Sequence, residues 1–189
     1  MRLLTFALLS LLVGCSETTN EDAPAPAPAT GTVRIANVTV DANEKEVIVH
    51  VRVENGTNAP VYTFIDSRKT LYKAETAVLD VVLAEEKWTN TGSSADCHYF
   101  QPRQKQLGAL RAETIDVKLP GVLQQGTSTN PPATVELPIH KAKEVNVSLA
   151  WGEVPLEPDP GVTSKCRVEI SENVVAKQKG IATGAWRSP

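Results

Sequence analysis

The sequence predicts an all-β domain, an antiparallel immunoglobulin-like β-sandwich, and three observations carry the expectation. Short runs alternate apolar and polar residues with period two, turn residues separate those runs, and no stretch keeps helical spacing over eleven or more residues. Many short strands with turns between them fit two packed antiparallel sheets whose inward side chains form one core.

Period two begins at Val33 and is clearest at Val47, Val49, Val51 and Val53, interleaved with Ile48, His50, Arg52 and Glu54. That run reads as a half-buried strand ending at the turn dipeptide Asn55-Gly56. The next run sets Val61, Thr63 and Ile65 against Tyr62 and Phe64, a strand covered on both faces, so residues 55–60 read as the loop between paired strands. Further runs follow at Ala77, Leu79, Val81 and Leu83, at Ile115, Val117 and Leu119, and at Val135, Leu137 and Ile139. Val145, Val147, Leu149 and Trp151 make another, and Cys166, Val168 and Ile170 a last one. Thr91-Gly92, Pro120-Gly121, residues 126–132 and residues 155–161 supply the turns. Residues 70–79 and 104–111 are the two short exceptions that carry some helical spacing. Trp88 and Trp151 sit in period-two contexts and are expected in the core, while Tyr99, Phe100 and Trp186 are expected to be exposed.

Ahead of these strands lies a leader in which Arg2 precedes an 11-residue, mostly apolar run from Leu3 to Val13. A helix that spans a bilayer takes about 20 apolar residues, so the run is too short to be a permanent anchor. The order of basic residue, apolar stretch and small Gly14 is that of a secretory signal peptide. The closing tetrapeptide Leu12-Val13-Gly14-Cys15 resembles the lipobox of bacterial lipoproteins. The resemblance implies cleavage between Gly14 and Cys15, diacylglycerol on the Cys15 thiol, and attachment to a membrane through lipid. Within that family Ser16, standing where an Asp favours inner-membrane retention, implies the outer membrane if the host is Gram-negative.

This divides the chain into a signal peptide (1–14), a lipidated N-terminus and Pro/Ala-rich linker (15–32), a β-sandwich domain (33–178) and a C-terminal tail (179–189). Residues 16–31 hold no large apolar side chain and alternate Ala with Pro24, Pro26 and Pro28, which reads as a disordered stalk. Taking the 14 leader residues from 189 leaves 175, and losing Arg2 takes the net charge from −3 to −4. That length suits one domain. A mildly acidic chain with no basic block lacks the counterion-release attraction that draws proteins to nucleic acid, so none is expected as a partner.

With Cys15 assigned to lipid, Cys97 and Cys166 remain as an even pair in an oxidising compartment. A disulfide is expected, and two reduced thiols are the alternative. Closing 69 residues would contribute about 4 kcal/mol in the chain-entropy picture.

No residue pattern indicates catalysis, metal or cofactor. His50, His98 and His140 stand apart, and the adjacent Cys97 and His98 point to opposite faces on a strand. Asp41, Asn43 and Glu44 lack the Gly of a calcium loop and read as a hairpin turn. Neither G-x-S-x-G nor S-x-x-K occurs, and adjacent Glu85 and Glu86 diverge on a strand. The expectation is a membrane-anchored, non-catalytic binding or interaction lipoprotein of the bacterial cell envelope. Its binding residues are expected on loops 87–96, 121–132 and 154–164, for an envelope protein or glycan partner. The alternatives are an envelope hydrolase or carbohydrate-active enzyme with a non-local site, and a structural or assembly lipoprotein of an envelope or secretion complex.

Overall fold

The valine row Val47, Val49, Val51 and Val53 is fully buried and forms the centre of the smaller of two main sheets. The computed structural model describes residues 26–89, 99–126, 133–162 and 167–189. Its mostly β character agrees with the expected all-β class.

Strands β1 (Val33–Ala42) and β2 (Glu46–Asn55) form a hairpin whose turn is set by Asn43. The Asn43 Oδ1 accepts the backbone N–H groups of Lys45 at 2.8 Å and Glu46 at 3.0 Å, the short-range bonding that makes Asn a turn residue. Strand β7 (Arg111–Pro120) pairs with the other side of β2 in unbroken antiparallel register, completing the order β1-β2-β7.

The second sheet has the order β4-β5-β10-β3-β6: β3 (Val61–Phe64), β4 (Lys69–Lys73), β5 (Val78–Leu83), β6 (Gln104–Leu107) and β10 (Glu144–Gly152). Strand β11 (Gly180–Arg187) lies on the other side of β10. Inward residues of both sheets meet in one cluster, Val38, Val49, Val117 and Ile115 from the first and Phe64, Leu83, Leu107, Val147 and Leu149 from the second. Such burial stabilises by about 25 cal/mol per Å² of apolar surface.

Several expectations are corrected. The sheets are not wholly antiparallel, because β5 and β10 run parallel from Val78↔Glu144 to Leu83↔Leu149. Residues 55–60 do not join paired strands; β2 and β3 belong to different sheets. That crossing is fastened by the buried Asn55 side chain. Its Nδ2 donates to the carbonyls of Ala59 and Gly108, each at 2.9 Å, and its Oδ1 accepts from the Thr57 hydroxyl at 2.7 Å. Residues 70–79 and 104–111 contain β4 and β6 in place of helical turns.

The run at Val168 and Ile170 is a helix, α1 (Arg167–Lys177), that buries Ile170 and Val174 four residues apart on one face. Two apolar residues spaced by two fit either period over so short a span. Residues 180–187, read as tail, are β11. Its inward row is Gly180, Ala182, Gly184 and Trp186, and the three small residues ahead of the indole do not register as apolar alternation. Gly184 is required there, since a Cβ would stand 2.5 Å from Ile35 Cγ2 on β1. Residues 26–32, counted with the linker, pack on the domain. Pro26 bridges Arg111, Ala27 is buried, and the Ala27 N–H donates to the Leu110 carbonyl at 3.0 Å.

Strands β8 (Leu123–Gly126) and β9 (Thr134–Leu137) pair only with each other, and Val135 is exposed there. Ile139, expected to continue that run, is buried in a short 3-10 turn, Ile139–Lys141. Among the described residues no helix is long and apolar enough to cross a membrane.

Candidate functional site

The end of β5 runs into a segment, residues 84–89, that leaves the sheet and is held by the region around α1. Gln178 clamps Glu85 through both backbone groups: the Glu85 N–H donates to Gln178 Oε1, and Gln178 Nε2 donates to the Glu85 carbonyl, each at 2.9 Å. One turn on, the Trp88 N–H donates to Ser171 Oγ at 3.0 Å, and that fully buried hydroxyl donates to the Val168 carbonyl at 2.8 Å. The segment is thereby fixed at both ends.

This placement turns Glu85 inward, where Arg68 meets it. Arg68 Nε and Nη2 both donate to Glu85 Oε2 at 2.7 Å, with the two side chains only 9% and 6% exposed. Arg68 Nη1 donates to the Phe100 carbonyl at 2.7 Å, and its guanidinium carbon stands 5.1 Å from the centre of the Tyr99 ring. The Tyr99 hydroxyl completes the cluster by donating to Glu85 Oε2 at 3.0 Å. Burial, reinforced by the Glu85 charge, pushes the Tyr99 phenol well above its ordinary value, so it remains the proton donor. A buried pair with its hydrogen bonds filled is a device of geometry more than of net stability.

Above this floor the segment lines an open cleft of about 420 Å³ with Arg68, Lys69, Glu86, Lys87, Trp88 and Arg167. Lys69 pairs with Glu86 at 3.1 Å and Lys87 with Glu172 at 2.8 Å, both on the solvent side. The Arg167 guanidinium carbon lies 3.7 Å from the centre of the Trp88 ring, a cation–π contact at the rim. Trp88 is 37% exposed and is therefore a rim residue, which corrects its expected place in the core; Trp151 is buried as expected.

Two other polar clusters flank the first sheet. On its outer face His50 Nδ1 lies 2.7 Å from Asp116 Oδ1 and Nε2 lies 3.2 Å from Asp41 Oδ2. Hydrogen bonding to Asp116 first, with Asp41 adding, raises the His50 pKa against a smaller opposing effect of burial. Each ring nitrogen faces a different carboxylate, so the three groups do not converge on one ion. Among the described residues no group of three or more His, Cys, Asp or Glu side chains could hold a metal. Between the sheets a second cleft, about 430 Å³, is lined by Ile65, Ser67, Val117 and Leu119 and by the ion pair of Asp66 with Arg103. Arg103 Nη2 donates to Asp66 Oδ1 at 2.7 Å, and the hydrogen bonding to Arg103 lowers the Asp66 pKa.

Of the residues singled out in the sequence, Gly14, Cys15, Cys97, Cys166 and His98 lie outside the described residues. Among the described neighbours of the later two cysteines, Tyr99 donates to Glu85 at the floor of the first cleft and Arg167 lines its rim. Of loop 87–96, residues 87–89 are at that rim. Tyr99 is part-buried, whereas Phe100 is 71% exposed as expected. Trp186 is partly buried against the core. His140 Nδ1–H donates to the Gly121 carbonyl at 2.9 Å, a structural place beside the turn that precedes β8. Arg68 and Glu85 were not marked as partners in the sequence, and nothing local signals them, since they are 17 positions apart. The expected divergence of Glu85 and Glu86 holds, one facing the core and the other solvent.

Searches of protein-family models, curated proteins and solved structures return no match to this chain.

Proposed function

We propose that this chain is a lipid-anchored, non-catalytic binding protein of the bacterial cell envelope, and that the cleft beyond β5 takes an acidic glycan. The observation that carries the reading is the lining of that cleft. Around a space of about 420 Å³, the size of a small saccharide, Lys69 and Lys87 are held only by solvent-side ion pairs with Glu86 and Glu172, which a ligand carboxylate can replace, and Trp88 and Arg167 stand at the rim over the buried Arg68–Glu85 floor. Guanidinium and ammonium groups recognise carboxylates, and an aromatic face packs against the apolar face of a sugar ring.

The leader supports the address. Cleavage after Gly14 and lipid on Cys15 would tether the domain through residues 16–25, and Ser16 favours the outer membrane of a Gram-negative host. The two sheets sharing one core are consistent with an immunoglobulin-like sandwich modified by the parallel β5–β10 pair. A Cys97–Cys166 disulfide would join the segment that carries Tyr99, bound to Glu85 at the cleft floor, to the segment that carries Arg167 at its rim.

Co-sedimentation of the full chain with purified peptidoglycan sacculi, which display muramic acid and stem-peptide carboxylates, tests the function. Wild type is expected in the pellet, and Trp88→Ala and Lys87→Glu are each expected to weaken retention about tenfold, the order of one rim contact. Retention that both variants keep in full, or a wild-type chain left in the supernatant, overturns the proposal.

A further inference from the structure

Among the described residues, β7 pairs along its length with β2 on one side and is met on the other only by Pro26 at Arg111. Because the Gly121 N–H donates to the Lys45 carbonyl at 2.8 Å, the alternation of an antiparallel ladder aims the backbone groups of residues 113, 115, 117 and 119 at β2. Those of Thr114, Asp116 and Lys118 therefore point outward. Pro26 meets the edge at Arg111, but beyond that bridge no backbone partner among the described residues reaches these three positions. An open row of this kind is a template for another strand, and many proteins spoil it with charges that repel a second copy.

Here the charges do the reverse. Asp116 and Lys118 follow one another on the outer face, separated by one inward residue, so an antiparallel second copy can place each opposite its complement. We infer that β7 pairs edge to edge with β7 of a second copy of this chain, with Asp116 facing the partner's Lys118 and Lys118 facing the partner's Asp116. Each such pair exchanges both of its backbone hydrogen bonds across the two-fold axis. Pro120, which has no N–H, then falls opposite the partner's Thr114, where it still accepts through its carbonyl.

The register is selected by what lies on either side of it. A slip of two residues in one direction sets Asp116 against the partner's Asp116, and in the other direction Lys118 against the partner's Lys118. Like charges directly opposite are destabilising on a sheet. On the inner face the favoured register aligns Val117 with the partner's Val117 and Ile115 with the partner's Leu119, keeping apolar rows continuous. The side chains are disposed for it as well. Asp116 uses Oδ1 for His50, and the described residues place no hydrogen bond on its Oδ2 and no ion pair on the Lys118 ammonium. The cleft lined by Ile65, Val117 and Leu119 lies against the same strand, so a partner strand would form a wall to it. The result is one continuous six-stranded sheet with β1 at each end, an isologous interface.

Sedimentation equilibrium of the full chain in density-matched detergent tests the pairing. A concentration-dependent dimer is expected. Lys118→Glu, at a side chain with no ion pair to lose, should raise the dissociation constant at least about tenfold, and Asp116→Lys added to it should restore the dimer. Because Asp116→Lys also removes the His50 bond, carbodiimide coupling of a mixture of isotope-labelled and unlabelled wild-type chains gives a second readout. A mixed-isotope Asp116–Lys118 cross-link is expected. A monomer at every concentration, a dimer indifferent to Lys118→Glu, or no mixed-isotope cross-link at these residues overturns the inference.

Discussion

Arg68 and Glu85 form an ion pair at 2.7 Å with less than a tenth of either side chain exposed, and the pair is the floor on which the candidate cleft is built. Taking two charges out of water costs several kcal/mol each, which their attraction offsets only while both are present and their hydrogen bonds are filled. Glu85→Ala or Arg68→Ala should therefore cost about 3–5 kcal/mol, the known scale for stranding one buried charge. The double variant Arg68→Met/Glu85→Leu should recover most of that loss. Chemical denaturation of the three variants checks it; a double variant as unstable as the singles would show that the pair is not the unit.

His50 makes stability depend on pH. A neutral imidazole carries one N–H, so only the protonated ring donates to Asp116 and Asp41 together. Its folded pKa is raised above 6.5, so the contribution is fully present below 6.5 and is lost as pH rises through the folded value. Melting temperature followed from pH 6 to 9 should fall over that window in wild type, and His50→Gln should flatten this component. An unchanged profile in the variant would assign the dependence to other groups.

Gly184 and Ile35 are matched by size. Gly184→Val would drive a side chain into Ile35 Cγ2, where even a Cβ stands at 2.5 Å. The expected cost is about 1–3 kcal/mol, the usual scale of overpacking. Adding Ile35→Ala should return part of it by opening the same space. Additive losses in the double variant would contradict a direct contact between β1 and β11.

Cys97 and Cys166 are expected to be bridged. Thiol labelling of the unfolded, unreduced full chain should modify neither, and prior reduction should expose both. Two reactive thiols without reduction would remove the bridge.

The strands with large apolar rows were legible from alternation alone. Val47 to Val53 and Val145 to Trp151 are buried on one side because branched and aromatic residues recur every second position, and the pleat converts that spacing into a face. Strand β11 was not legible because close approach of β1 demands Gly184, and Gly180, Ala182 and Gly184 carry no hydrophobic signal ahead of the single Trp186. In α1 the burying pair is Ile170 and Val174, yet Val168 and Ile170 imitate a strand before the helical spacing can be counted. The crossing at residues 55–60 depends on one Asn whose bonds reach 53 positions along the chain. Local turn chemistry predicts a turn there and leaves its partner sheet open.

The cleft was legible only at its rim. Loop 87–96 was expected to bind because loops on a rigid scaffold carry function, and residues 87–89 do reach the cleft. Its floor arises from pairing between β4 and β5, which brings Arg68 beside Val82 through an N–H donated at 2.7 Å and so within reach of Glu85. Trp88 leaves the core because the chain departs from the sheet after Leu83, where α1 and Gln178 replace the next strand as its neighbours.

Titration calorimetry of the full chain with soluble muropeptides tests the binding role most directly. The account requires saturable binding by wild type and at least about tenfold weaker binding by Trp88→Ala and by Lys87→Glu, with all three melting at the same temperature. Equal affinity across the three proteins, or no heat of binding in wild type, would contradict it.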